Sequence, residues 1–446
     1  MRRASLVLVG AAVGSALVMV ATQPIFLGRS GADAKTVATT PSGQSDIYRV
    51  LNLFSDAFEQ VRAHYVEKPD DSRMVETAVN GMLADLEDSY FIDQQTLSHP
   101  QPACTSPTCA TALGNIGVAY TIQDGLATVV TPIDGTPAAK AGMMTGDIIA
   151  RMDDDQVEGL TYDQFGKKLS GDVGSKIKLT IVHAGRDKPI DLPLTREAIS
   201  TNSVRSSTDG DDVGYIRVIQ FNDTTADQLK KAIDDIAAKV PSAKLKGYVI
   251  DLRDNPGGSM DAAVTAADDF LDDGEIVSIR HRMTDKVDHF RAKPGDLANG
   301  KPIIVLINGG TASKAEIVAG ALKDNHRATI VGTRSFGEGW DSTVVPLGPG
   351  RGALALATGH YVTPSGKQIQ GGGIVPDVDA AQDVPDDLKP TATVKTKDKD
   401  LPPLQSYIPA DPKADKALTA AYALLRKNVA DAHIAPANAA GHDHAR

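Results

Sequence analysis

Ile303-Ile304-Val305-Leu306-Ile307-Asn308-Gly309-Gly310-Thr311-Ala312-Ser313-Lys314-Ala315-Glu316-Ile317 passes from an all-apolar run through a glycine-rich turn into a helix-like segment. A run with no polar positions reads as a strand buried on both faces, as in sheets covered by helices. Gly247 to Leu252 is a second such run, ending in its own tight turn, Arg253-Asp254-Asn255-Pro256-Gly257-Gly258. Helices are expected after these strands, at Met260 to Leu271 and Ala312 to Leu322. Val213 to Phe221 reads as a further strand. Thr225 to Val240 reads as a helix with Leu229, Ala232, Ile233, Ile236 and Val240 along one face. The alternation is that of a β/α core in which helices cross between strands.

Chemistry is expected at the ends of those strands. A serine at a helix N-terminus, such as Ser313, is well placed as a nucleophile, because the free N–H groups there stabilise an oxyanion. The same position equally suits a serine as a helix cap. The glycine turn after Asp251 can bring its backbone to the same point.

Upstream, about residues 110–195, the pattern shortens to β-rich runs: Val118 to Ile122, Ala127 to Ile133, Asp147 to Met152 and Ile177 to Val182. Helix-length pieces at Pro137 to Ala141 and Tyr162 to Leu169 interrupt them. Thr136-Pro137-Ala138-Ala139-Lys140-Ala141-Gly142-Met143-Met144-Thr145-Gly146-Asp147-Ile148-Ile149 resembles the helix-turn-strand of a PDZ domain. Gly114-Asn115-Ile116-Gly117-Val118 is similar to its carboxylate-binding loop. Asn115, Ile116, Gly117 and Val118 are therefore the expected peptide-binding residues. Backbone N–H groups in such a turn capture a terminal carboxylate while the adjoining strand edge pairs with the peptide. The alternative is a small β domain with no open groove.

The larger resemblance covers about residues 45–380. Asn255-Pro256-Gly257-Gly258, the Asn308-to-Glu316 segment, and Thr363-Pro364-Ser365-Gly366-Lys367 through Gly373-Ile374-Val375-Pro376-Asp377 are similar in order and spacing to the carboxyl-terminal processing peptidases of serine peptidase family S41. That resemblance implies an α+β multidomain chain: a small helical N-terminal region, a PDZ β-domain and a β/α, crotonase-like peptidase core. It implies Ser313 as nucleophile, and an oxyanion hole from the Lys314 N–H with one from the Gly257–Gly258 turn. It also implies a Ser–Lys dyad without metal or cofactor, acting on unfolded or C-terminally exposed polypeptides.

One segment departs from the family pattern. The family reads Phe-Gly-Lys-Gly, its lysine serving as general base, with an orienting glutamine four residues on. This chain reads Phe336-Gly337-Glu338-Gly339-Trp340-Asp341-Ser342. Glu338 stands at the lysine position, Ser342 at the glutamine position, and Trp340 replaces a small residue. A carboxylate starts near about 4.3, several units below the optimum for general-base work, and becomes only neutral when a cation would attract the oxyanion. Lys314 is not expected to substitute, since adjacent helix residues point in different directions. His326 and His360 have no motif around them. Two functions are thus expected to compete: a peptidase with a weak or rearranged base, and a pseudo-peptidase that binds C-termini without cutting.

The ends of the chain speak to location. Arg2 and Arg3 precede an apolar run from Ala4 to about Thr22, the order of a secretory signal. Ala32-Asp33-Ala34 offers a cleavage site; uncleaved, the run is long enough for one membrane anchor. Export to the periplasm or cell envelope, with or without inner-membrane anchorage, is the expectation. In an exported chain the only cysteines, Cys104 and Cys109, can close a disulfide, and two fall short of the ligand set of a structural zinc site.

The expected boundaries are 1–34 signal or anchor, 35–44 linker, 45–104 helical N-terminal region, 105–195 PDZ domain, 196–380 core and 381–446 linker, helix and tail. In the N-terminal region, Ile47, Val50, Leu51, Phe54, Phe58, Val61 and Tyr65 recur at helical steps. Val75, Ala78, Met82, Leu83 and Leu86 line a second helix. His442 and His444 read as solvated tail residues. With 46 basic against 57 acidic side chains and a net charge of -11, the chain lacks the positive footprint of a nucleic-acid binder.

Overall fold

Gly247–Asp251 and Ile303–Ile307 are buried at every position and lie parallel, pairing Tyr248 with Ile303 through Asp251 with Leu306. Side chains alternate across a strand, so Ile303, Val305 and Ile307 enter one core while Ile304 and Leu306 enter another. The first is filled by the helices Thr225–Lys239, Met260–Asp268 and Lys314–Asp324. The second is filled by Ala417, Leu418, Ala421 and Leu425 of the helix Lys416–Asp431. This is the covered sheet that the apolar runs predict.

The computed structural model describes residues 42–83, 86, 88–98, 114–123, 125–160, 162–183, 188–199, 202–282, 287–385, 404–409 and 411–431. The apolar N-terminal run, Cys104, Cys109, His442 and His444 lie outside the described residues. Among the described residues no helix is long and apolar enough to cross a membrane.

The core sheet runs Val378–Asp379, Ala328–Gly332, Ile303–Ile307, Gly247–Asp251, Val213–Val218, Val204–Asp209. Only the last joins antiparallel. A second sheet in the core pairs Ala353–Val362 with Trp340–Pro346, Glu275–His281 and Tyr90–Ile92, and Glu275–His281 with Val287–Arg291. The 118–195 region is an antiparallel five-strand path, Val118–Gln123, Leu126–Pro132, Ile148–Met152, Lys176–Val182, Ile190–Thr195, around its own core of Ile116, Val129, Phe165, Leu179 and Ile181.

The chain divides into two compact units, Met1–Asp71 and Ser72–Arg446. The region expected as 45–104 is therefore split. Tyr90–Ile92 belongs to the core's second sheet because it hydrogen-bonds Ala353–Ala355. In the first unit the helix Ser42–His64 begins inside the expected linker, and Ile47, Val50, Leu51 and Phe54 are exposed on it.

Candidate active site

Ser313 sits where the buried strand turns into a helix. Its backbone has φ 54° and ψ −122°, a left-handed conformation that costs a non-glycine residue on the order of 1–3 kcal/mol. Neighbours hold it there. Thr311 Oγ1 donates to Leu252 O at 2.8 Å, the Ala312 N–H to Asn255 O at 2.9 Å, and the Ser313 N–H to Glu316 Oε2 at 2.9 Å. Such a strained strand-to-helix elbow presents a nucleophilic hydroxyl at the edge of a sheet. Ser313 also occupies the cap position of Lys314–Asp324, one of the two roles its place in the sequence suits.

The Asn255–Gly258 turn lies against this elbow. A Cβ at Gly257 would come within 2.8 Å of the Lys314 nitrogen and 3.0 Å of Ser313 Cβ; one at Gly258 would strike Phe221 O at 2.1 Å. Both positions also need positive φ, 94° and 130°. The expected oxyanion donors separate here. The Gly257 N–H is spent on Asn255 Oδ1 at 2.8 Å. The N–H groups of Gly258 and Lys314 have no partner among the described residues. Behind the turn, Asp251 accepts from Arg217 at 2.8 Å and Arg253 at 2.6 Å, and Arg253 reaches on to Asp415 at 2.7 Å. Burial would raise the Asp251 carboxyl, yet these guanidinium groups hold it well below the usual range.

Glu316 ties the elbow to the segment that departs from the family. Its fully buried carboxylate accepts from Ser313, from Ser335 Oγ at 2.5 Å, and from the N–H groups of Gly337 and Glu338 at 2.8 Å each. Burial pushes it up to about 7 against those hydrogen bonds. Glu338 lies close enough to Asp88 and Lys314 for their charges to act on its carboxyl. Burial and then Asp88 push its carboxyl up to about 7, while Lys314 pulls it down. Ser342 lies on an exposed strand and donates to Asp88 Oδ2. The Asp88 carboxyl is raised by burial, against Ser342 and Lys314. Trp340 turns its ring onto His360 across the strand pair, centroids 4.4 Å apart.

Two features escaped sequence reasoning. Asp88 joins the site from a segment without a motif. Lys314 was expected to point away, yet its Nζ lies 3.2 Å from Ser313 Oγ and 5.3 Å from the centroid of the Tyr361 ring. The expectation assumed two helical residues. Ser313 is not helical, and the lysine stem is long enough to fold back over it. Among the described residues no group of three or more His, Cys, Asp or Glu is arranged to hold a metal ion.

In the β-domain, Ile116 and Val118 are buried. The Asn115 N–H donates to Glu197 O at 2.9 Å and the Gly117 N–H to Asn115 Oδ1 at 3.0 Å, so in this conformation neither is free for a carboxylate. Between Val118–Gln123 and Tyr162–Leu169, Tyr120 stacks on Tyr162 at 4.6 Å and donates its hydroxyl to Tyr162 O at 2.9 Å.

Residues 212–380 match peptidase family S41, 114–194 a PDZ domain, and 10–96 the N-terminal domain of the activating protease CtpB. The chain is 43% identical over 410 residues to the carboxy-terminal-processing protease of Bartonella bacilliformis, covering 89% of this chain and 93% of that one. The chain belongs to the carboxyl-terminal processing proteases of family S41. The carboxy-terminal processing protease CtpA of Bacillus subtilis is 32% identical over 387 residues, covering 86% of this chain and 78% of its own. Among solved structures, the photosystem II D1 C-terminal processing protease superposes with a TM-score of 0.61 at 28% identity, covering 74% of this chain and 92% of that one. Family S41 is a family of serine proteases.

Proposed function

We propose that this protein is an exported serine endopeptidase that engages the C-terminus of an unfolded polypeptide at its PDZ domain and cleaves at Ser313. The observation that carries the reading is the strained elbow: Ser313 is held beside the N–H groups of Gly258 and Lys314, which have no partner among the described residues. Attack by Oγ on a peptide carbonyl moves charge onto the carbonyl oxygen. Backbone donors fixed before the reaction stabilise that charge with no reorganisation, an effect worth about 3–4 kcal/mol for a single donor.

Recognition begins at the strand Val118–Gln123. A peptide that pairs with this strand displaces Tyr120 from Tyr162, and its carboxylate replaces the Asn115 side chain on the Gly117 N–H. The apolar bed beneath is Ile116, Val118 and Phe165.

A second reading rests on Glu338. A carboxyl where the family has its lysine favours a protein that binds C-termini at the cell envelope and passes them on uncut. Incubating purified protein with an unfolded polypeptide ending in apolar residues separates the two. Cleavage that Ser313→Ala removes supports the peptidase; tight binding with no Ser313-dependent cleavage between pH 5 and 10 supports the binding protein.

A further inference from the structure

The Ser313 hydroxyl needs a proton acceptor, and Lys314 supplies the amine found on it. No other amine or imidazole hydrogen-bonds Ser313 Oγ among the described residues. We propose that Lys314 is the general base of Ser313. This inference rests on the peptidase reading of Ser313.

The 3.2 Å from Nζ to Oγ is within the reach at which a base removes a proton. The amine is seated over the face of Tyr361, which is itself buried and donates its hydroxyl to Asp341 Oδ1 at 3.2 Å. A lysine is a base only when neutral. The charged groups near it are Glu338, from the segment after Ser335, and Asp88, from the segment before Tyr90. Glu316 faces Glu338 from the helix side. Tyr162 and Tyr361 are pushed up by burial and stay neutral. Glu338, raised to about 7, takes and releases a proton at neutral pH.

The atoms balance without a further reagent. Oγ bonds to the scissile carbonyl carbon as its proton passes to Lys314 Nζ, and the carbonyl π pair moves onto oxygen, facing the Gly258 and Lys314 N–H groups. The C–N bond then breaks and the ammonium protonates the leaving amine. Water next attacks the ester and gives its proton to Lys314, which returns it to Ser313 Oγ as the acid leaves. The ammonium formed in each step attracts the oxyanion beside it, which a protonated Glu338 cannot do.

The test uses the full chain and two readouts: cleavage of an unfolded polypeptide, and labelling of Ser313 by a fluorophosphonate probe, each across pH 5–10. Lys314→Met and Lys314→Arg should each slow both by roughly 100-fold or more, with thermal unfolding unchanged, because guanidinium does not release its proton. Glu338→Gln, which takes an anion away from Lys314, should move the rise of both profiles to more acid pH. Rates that survive Lys314→Met, or that Lys314→Arg restores, would overturn Lys314 as base while leaving the peptidase intact. A wild-type protein that neither cleaves nor labels would overturn the peptidase reading and, with it, Lys314 as base.

Discussion

The Ser313 N–H donates to Glu316 at 2.9 Å, and the same carboxylate accepts from the Glu338 N–H at 2.8 Å. One buried side chain thus ties Ser313 to the backbone of Glu338. Glu316→Ala leaves these donors, with Gly337 and Ser335, without their acceptor. A loss of about 3 kcal/mol is expected, along with Ser313 reactivity; urea denaturation and probe labelling would measure the two separately. Glu316→Gln, which keeps one oxygen, should cost less.

Glu338 makes stability depend on pH. Its carboxyl is pushed up to about 7 in the folded chain from its ordinary 4.5. Between those values the unfolded chain ionises first, so stability falls as pH rises through the window, and the penalty is complete above about 7. Glu338→Gln removes it. The variant should be more stable than wild type at pH 8, by about 1–2 kcal/mol, and equal to it at pH 4; denaturant midpoints at the two pH values would reveal a reversed or absent difference.

Restoring the family pattern should accelerate cleavage. Glu338→Lys with Ser342→Gln, and Trp340→Ser to clear the strand, places an amine on the loop held by Glu316. An increase of about 10²-fold or more in Ser313-dependent cleavage is expected, the usual worth of a positioned base. Lys314→Met should cost little in that background. No gain, with folding intact, would mean that the loop does not aim position 338 at Ser313.

Peptides with apolar C-termini should bind the full chain with a Kd on the order of micromolar, about 8 kcal/mol, and their amidated forms much more weakly. Tyr120→Ala, which opens the space beside Tyr162, should tighten the free-acid peptide. Titration calorimetry would decide; equal affinity for acid and amide would mean that the Gly114–Val118 turn is not a carboxylate site.

Residues 1–45 fused to a reporter should carry it across the inner membrane, given Arg2-Arg3 and the apolar run behind them. Retention of the reporter in the cytoplasm would refute export, whatever becomes of cleavage.

The sheet of the core was legible in the sequence because both its faces are covered. Gly247 to Leu252 and Ile303 to Ile307 are apolar throughout, and such runs have few other places to go. The glycines at 257 and 258 and the serine at 313 were legible for a related reason: a close backbone approach and a strand-to-helix elbow restrict residue type at fixed positions. Sequence likewise singles out Glu338, where the resemblance to the family leads one to expect lysine. It left out Val204–Asp209, whose polar residues show no alternation at a sheet edge, and Tyr90–Ile92, too short to carry a period.

What surrounds Ser313 only the tertiary structure decided. Asp88 arrives through strand pairing with Ala353–Ala355, a contact between distant segments that no local pattern encodes. Lys314 reaches Oγ because Ser313 has positive φ, and that conformation is imposed by hydrogen bonds from Thr311, Ala312 and Ser313 to Leu252, Asn255 and Glu316. Spacing along a chain specifies side-chain direction only while the backbone is regular, and at this elbow the backbone is not.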